Sequence, residues 1–278
     1  MTSVVLAFGF AIAHPLFMRG QLPFEPPREA GTGVTGAFEG WFKNSDGSFS
    51  LLLGYFNRNE KQELDIPIGS NNQIEPGGPD RGQPTHFLPG RHWGLFTIKV
   101  PAGFVDKITW TISANGETTV IPASLKPDYE LSPFQESSGN TPPVLRLEEA
   151  GASVQGPQGL TAERTVKLNS PLPLTVWVSD DLKTGKGSVI ARNQKSPVIV
   201  RWTKYRGPGV VTFAKDSPEV EKLQQKDVPF SGKAATTASF SEPGDYELHV
   251  VINDLTGDGG GGFQCCWTNG LVKVVVEP

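Results

Sequence analysis

Residues 107–121 read KITWTISANGETTVI. Two alternating runs, Lys107 to Ala114 and Glu117 to Ile121, flank Asn115-Gly116, the dipeptide that best tolerates the two positive φ angles of a type I′ hairpin turn. Ile108, Trp110 and Ile112 fall on one face, and Thr109, Thr111 and Ser113 on the other, so the pattern predicts a strand pair with one buried side. A helix cannot sort these residues, because it would spread the apolar positions around its circumference. Working outward, Ala37 to Phe42 and Ser48 to Asn57 read as a second hairpin turning at Asp46-Gly47. Glu63 to Ile68 suits an edge strand, where Pro67 costs no ladder bond, and His92 to Val100 supplies another strand. Between them, Gly69 to Gly90 carries Gly77, Gly78, Pro79, Gly82, Pro84, Pro89 and Gly90 and reads as a long loop of the kind that often bears function.

Composition agrees. Of 278 residues, 32 are Gly and 24 are Pro, about a fifth of the chain against a usual ~12%. Both break helix interiors, and no heptads or long amphipathic helical stretches are present, which excludes bundles, coiled coils and doubly wound α/β folds. The fold class read from the sequence is therefore all-β, and the length suits two sandwich domains. The first covers residues 34–125. Residues 126–143 (KPDYELSPFQESSGNTPP) form a Pro- and Ser-rich linker, and 144–278 form the second domain. Its strands read at 165–168, 172–178, 198–204, 209–213, 235–240, 245–252 and 271–277, the short, evenly spaced pattern of an immunoglobulin-like sandwich.

Within that second block, Val200-Arg201-Trp202-Thr203-Lys204, Gly207 to Phe213, Ala238-Ser239-Phe240-Ser241-Glu242-Pro243-Gly244-Asp245-Tyr246 and Asn253-Asp254 resemble the polycystic-kidney-disease (PKD) type of Ig-like domain. The resemblance implies Trp202 on a central strand and a Phe-x-x-Pro-Gly-x-Tyr turn opening the penultimate one. It departs from the family at Lys204-Tyr205-Arg206-Gly207-Pro208-Gly209, where the commonest form has an Asp-Phe-Gly-Asp-Gly turn. The N-terminal half resembles no family that can be named beyond uncharacterised exported bacterial proteins.

Formal charge is −4, from 25 basic and 29 acidic residues well mixed along the chain. Without a basic stripe, nucleic acid is a poor partner. Val4 to Ala13 (VVLAFGFAIA) is too short to span a bilayer and ends in an A-x-A pattern, so residues 1–20 read as a signal segment, although no basic residue precedes the run. The expected location is extracytoplasmic, periplasmic or secreted, with no membrane span. The absence of an N-x-S/T acceptor fits a bacterial source. The only cysteines are the adjacent Cys265 and Cys266. They are open to three readings: a vicinal disulfide, buried thiols, or an intermolecular or metal-bound pair.

Four sets of residues carry potential chemistry. Asp254 and Asp258, in the loop leading to the tetraglycine run Gly259 to Gly262, with Asp180 and Asp181 at the end of an earlier strand, offer the hard oxygen ligands that calcium uses, and calcium is the one cofactor the sequence suggests. Acidic residues also cap turns, so a purely structural role stays open. His86 and His92 flank a Pro-Gly turn and could hold a transition metal. Cleavage after Ala13 would expose His14 as an N-terminal imidazole chelate similar to that of lytic polysaccharide monooxygenases, with His86 or His92 as the second imidazole. Trp41, Tyr55 and Trp93, in an aromatic-rich first domain, are candidates to stack on sugar rings. His249 alternates with Leu248 and Val250 and reads as structural. No nucleophile elbow, zincin motif or Walker sequence is present. The sequence thus favours an exported non-catalytic binding or structural protein facing a polysaccharide or cell-surface protein. A secreted metal-dependent polysaccharide-active enzyme, copper oxidase-like or hydrolytic, is the alternative.

Overall fold

The computed structural model describes residues 28–136, 139–183, 196–225, 228–254, 256 and 265–278. The leader with His14, Asp258 and the tetraglycine run lie outside the described residues. The N-terminal half contains β1 (Val34–Lys43), β2 (Phe49–Asn57), β3 (Leu64–Asp65), β4 (Asn72–Glu75), β5 (His86–Phe87), β6 (Gly90–Val100), β7 (Lys107–Ala114) and β8 (Glu117–Ser124). They form sheets β1-β2-β6 and β4-β7-β8 and a small β3-β5 ribbon. Asn115 and Gly116 adopt φ of 50° and 78°, so the hairpin turns where the dipeptide requires. Ile108, Trp110 and Ile112 are buried, and with Leu51, Leu53, Ile98 and Val100 of the facing sheet they make one core.

β4 was hidden in the stretch read as loop. Its sequence, NQIE, has low strand propensity, and what holds it is Asn72. This fully buried side chain accepts from Trp110 Nε1 at 3.0 Å and donates to the carbonyls of Ile66 and Pro84 at 2.9 and 2.8 Å. A buried amide with partners on both ends fixes the loop as firmly as a ladder does.

The C-terminal half contains β9 (Val144–Arg146), β10 (Ser153–Val154), β11 (Leu160–Lys167), β12 (Leu172–Asp180), β13 (Ile199–Arg206), β14 (Val211–Phe213), β15 (Glu221–Lys222), β16 (Phe230–Phe240), β17 (Gly244–Asn253) and β18 (Trp267–Glu277). One sheet runs β10-β9-β12-β16-β14, with β15 also on β16; the other runs β11-β18-β17-β13, with β11 parallel to β18. This is the strand order of an Ig-like sandwich. Trp202 on β13 is 1% exposed between the sheets. Tyr246, at the start of β17, donates from its hydroxyl to the Glu242 carbonyl at 2.8 Å and accepts from the Gly209 N–H at 3.0 Å. That is the tyrosine corner of Ig folds, built by the Pro-Gly-Asp-Tyr turn.

The connecting segment does not behave as a free spacer. Trp41 Nε1 donates to the Lys126 carbonyl at 2.7 Å, the Leu131 N–H donates to the Trp41 carbonyl at 2.8 Å, and Phe134 packs edge-on against Phe42 with centroids 5.3 Å apart. The aromatic residues scattered among its prolines dock it along β1.

The two halves are also joined face to face. On β17 and β18 the even-numbered residues Leu248, Val250, Val272 and Val274 enter the C-terminal core, which leaves His249, Val251, Trp267, Asn269 and Leu271 on the outer face. In a lone Ig-like domain that face meets water. Here His249, Trp267 and Asn269 are all buried. Trp267 packs with Phe42 and Leu52, and Tyr205 of β13, 2% exposed, belongs to the N-terminal core.

Candidate functional site

Three clusters bring together residues with chemistry, and the first is the seam between the halves. Tyr205 donates from its hydroxyl to the Gly82 carbonyl and accepts at its own carbonyl from the Thr85 N–H at 3.1 Å. Next to it, Arg206 chelates Asp80 at 3.0 and 2.8 Å and donates from Nε to the Gln83 carbonyl at 2.9 Å. Lys204, its side chain 7% exposed, donates to Asp65 Oδ1 at 3.0 Å. Tyr205 and Arg206, within the stretch that departs from the PKD pattern, therefore grip the Gly- and Pro-rich loop, and Lys204 holds the neighbouring β3. That loop serves an internal surface.

His86 belongs to the same seam. Its Nδ1 lies 2.9 Å from Asp65 Oδ1 and its Nε2 lies 3.3 Å from Glu63 Oε2. Burial raises the Asp65 carboxyl, but the hydrogen bonds from Lys204 and His86 outweigh it and hold the group below the usual carboxylate range. His92 sits on β6, stacked on Tyr55 with centroids 4.7 Å apart and with Nε2 3.1 Å from the Pro89 carbonyl. The two histidines are thus engaged separately. Among the described residues no three His, Cys, Asp or Glu side chains gather so as to hold a metal ion. His249 is fully buried against Asn269 Oδ1 at 3.1 Å, and burial, with a contribution from His92, lowers its pKa to about 4.

The second cluster lies at one end of the C-terminal sandwich, where the Asp180-Asp181 end of β12 meets the segment after β17. Asn140 donates to Asp254 Oδ2 at 2.7 Å, and the next residue, Thr141, donates to Asp181 Oδ2 at 3.0 Å. Asp254 also accepts from the Thr256 N–H at 2.7 Å. Asp180 is 6% exposed; its Oδ1 accepts from the Leu182 N–H at 2.8 Å, and its Oδ2 is buried without a donor among the described residues. Burial first, then the charges of Asp254 and Asp181, push the Asp180 pKa up to about 7, and burial raises Asp254 as well. The sequence grouped these aspartates, and the fold brings Asp180, Asp181 and Asp254 to one end.

The third is the cysteine pair. Cys265 and Cys266 form a vicinal disulfide with Cα atoms 3.1 Å apart, both fully buried. The Cys266 carbonyl accepts from the Asp254 N–H at 3.3 Å, so the disulfide abuts the carboxylate cluster.

The proposed stacking residues divide. Trp41 is 9% exposed and Tyr55 is 2% exposed; both serve the N-terminal core, and neither presents a face to a ligand. Trp93 is 37% exposed, with the Arg91 guanidinium 3.8 Å over its ring. The sequence reading missed Lys204, Tyr205, Arg206 and the asparagines 72 and 269. A signal was present for the first three: a Tyr flanked by two cations replaces the small, acidic turn expected after Trp202.

No family model matches the chain, and no curated protein is similar to it. Among solved structures, a titin substructure is 10% identical, covering 87% of this chain and 99% of that one at a TM-score of 0.25. The D00-D0 domain of intimin is 14% identical over 87% and 99% at 0.24, and domains 4 and 5 of the S-layer protein SbsC are 11% identical over 88% and 98% at 0.23. Likeness at TM-scores this low assigns neither family nor function.

Proposed function

We propose that this chain is an exported, non-catalytic binding or structural protein whose two sandwiches, the second of PKD type, act as one rigid body toward a polysaccharide or cell-surface partner. The observation that carries the reading is the seam. Tyr205, Trp267 and Asn269, all buried, tie an Ig-like sheet to the N-terminal half, and they occupy a face that a stand-alone module leaves to water. A buried seam of this kind holds a fixed surface; it serves presentation better than a hinge does. The vicinal disulfide supports an oxidising compartment, because cytosolic thiols are kept reduced. No helix among the described residues is long and apolar enough to cross a membrane. The test is co-sedimentation of the purified protein with insoluble polysaccharides and with whole cells, alongside expression of the full chain in a bacterium followed by fractionation. Binding without product release, and recovery outside the cytoplasm, are expected. Release of soluble sugars, or a cytoplasmic protein with free thiols, overturns the reading.

Calcium forms a second part of this proposal. A buried carboxylate oxygen with no donor among the described residues, beside a second buried carboxylate, is costly unless it is protonated or neutralised by a cation. The all-oxygen donors of Asp180 and Asp254 suit a hard ion. Calcium should raise the melting temperature at pH 8 by several degrees, and Asp180→Asn should abolish that rise. A melt unmoved by calcium or chelator removes calcium from the proposal.

A further inference from the structure

β1 and β8 are the outermost strands of their sheets and do not pair with each other. They are pinned together at one end, where the Thr119 hydroxyl donates to the Val34 carbonyl at 3.0 Å. Beyond that point a groove of about 1110 Å³ lies between Gly36 to Phe38 of β1 and Ile121, Pro122 and Ser124 of β8, with the turn before β7 and the start of the connecting segment completing its walls.

Register fixes which main-chain groups face the groove. In a hairpin closed by a two-residue turn, the residues flanking the turn exchange hydrogen bonds, and every second residue turns its N–H and C=O away from the partner strand. Counted from Ala114↔Glu117, that places Thr118, Val120, Pro122 and Ser124 on the outer edge of β8. Pro122 agrees, since a residue without an N–H costs no ladder bond there. On β1 the Val34 carbonyl is taken from outside by Thr119, so Gly36 and Phe38, farther along in unbroken register, also face outward. From Trp41 onward the connecting segment covers this edge, the Leu131 N–H donating to the Trp41 carbonyl. Between the two closures Phe38, Pro122 and Ser124 line the groove without being buried, and no strand or turn among the described residues pairs with them on that side. A free edge of this kind is a template for another strand. Main-chain groups repeating at every second residue are matched by a polypeptide in extended conformation. The side chains narrow its composition. Phe38, Phe104, Ile121 and Tyr129 give the walls apolar surface, and Val105, 91% exposed, stands at the turn beside them. Among the charged lining residues, Lys107 and Lys126 are exposed and in no ion pair among the described residues, against the single carboxylate of Asp106.

We propose that this groove takes an extended peptide strand of a partner protein, with apolar side chains at alternate positions and an acidic residue toward Lys107 and Lys126. The strand exchanges main-chain hydrogen bonds with Phe38 on one wall and with Pro122 and Ser124 on the other. The proposal rests on the reading of the chain as a binding protein and assigns a protein partner, rather than a polysaccharide, to this site.

The test is amide NMR of the full, nitrogen-labelled chain titrated with a capped octapeptide that alternates valine and threonine around a central glutamate. A second peptide carries lysine in place of the glutamate, and a third keeps the side chains of the first but is N-methylated along its length. The glutamate peptide should shift the Phe38 and Ser124 amide signals and slow their hydrogen exchange about tenfold. The lysine peptide should bind about fivefold more weakly, and the N-methylated one should not bind. Ser124→Pro removes one donor from an edge where proline is tolerated and should weaken the glutamate peptide about fivefold, the effect of one hydrogen bond. Val105→Ser, an exposed change that spares the fold, should weaken it about threefold through lost apolar contact. Equal binding by the lysine or the N-methylated peptide overturns the proposal, as does an unmoved Phe38 and Ser124 with every peptide. If the protein still sediments with whole cells or insoluble polysaccharide while these amides stay still, the binding function stands and the groove assignment falls. If it does neither, both fall.

Discussion

Tyr205 is anchored in a strand of one sandwich and buried in the core of the other, so shortening it should uncouple the two. Tyr205→Ala removes a fully buried aromatic ring from the N-terminal core, a change worth about 3–5 kcal/mol. Tyr205→Phe keeps the ring and loses only the hydroxyl donated to the carbonyl of the exposed Gly82, about 1 kcal/mol because water can take the lost donor's place. Against a total of ~5–15 kcal/mol for a domain, the alanine change consumes a large share of the N-terminal half's stability. The C-terminal core, centred on Trp202 between its own sheets, loses nothing directly. The intact protein should therefore unfold in one transition, with calorimetric and van't Hoff enthalpies in agreement. Tyr205→Ala should split it into an early N-terminal step and a later C-terminal one, and Tyr205→Phe should lower the midpoint without splitting. Differential calorimetry and urea unfolding followed by far-UV circular dichroism measure both. A single transition displaced by less than about 1 kcal/mol in Tyr205→Ala would refute the claim that the seam couples the halves.

Burial lowers the His249 pKa to about 4, against ~6.5 unfolded. The unfolded chain then binds the extra proton between these values, so stability should be full above about pH 6.5 and decline by about 3 kcal/mol as the pH falls to 4. Urea midpoints measured across that range should flatten in His249→Gln, and an unchanged slope would show that other groups set the acid limit. Gly94 has φ of +49°, and a Cβ there would lie 2.3 Å from Cζ2 of Trp267. Gly94→Ala should cost about 2–4 kcal/mol from left-handed backbone plus overpacking and alter the near-UV signal of Trp267, whereas a loss under 1 kcal/mol would mean that the seam is soft. Intact-mass measurement under denaturing conditions should show a gain of about two daltons on reduction, because one disulfide takes up two hydrogens; no gain would mean that Cys265 and Cys266 are thiols.

The positions of most long strands and the turn at Pro243-Gly244-Asp245-Tyr246 were legible because both rest on local patterns, alternation in strands and turn chemistry; the strand order and the Tyr246 hydroxyl bonds came only with the structure. The carboxylate end was legible in outline for a similar reason: Ig-like topology brings the end of β12 and the segment after β17 to the same rim. The seam was not. Whether Asn269 or His249 meets water or another sheet depends on what lies beyond the strand, and a period-two pattern reports only that successive residues point to opposite sides. β4 escaped because its one strong anchor, Asn72, is a residue that favours turns. Trp41 and Tyr55 show the converse error: aromatic residues that could stack on a sugar are even better at filling a core, and nothing in their spacing tells the two uses apart.

The parallel pairing of β11 with β18 has a mechanical consequence. From Leu160↔Gly270 to Lys167↔Glu277 the two strands run side by side, while β17 flanks β18 on its other edge in antiparallel register. Tension applied to the chain beyond Glu277 pulls β18 along its own axis, so both ladders are loaded in shear and their hydrogen bonds share the force together. Unzipping from one end is not available to a strand held this way. At its far end β18 begins at Trp267, which is wedged against Phe42 and Leu52, so the force continues directly into the N-terminal sandwich. The strand works as a tie rod through the protein, with the indole as the bolt at its inner end.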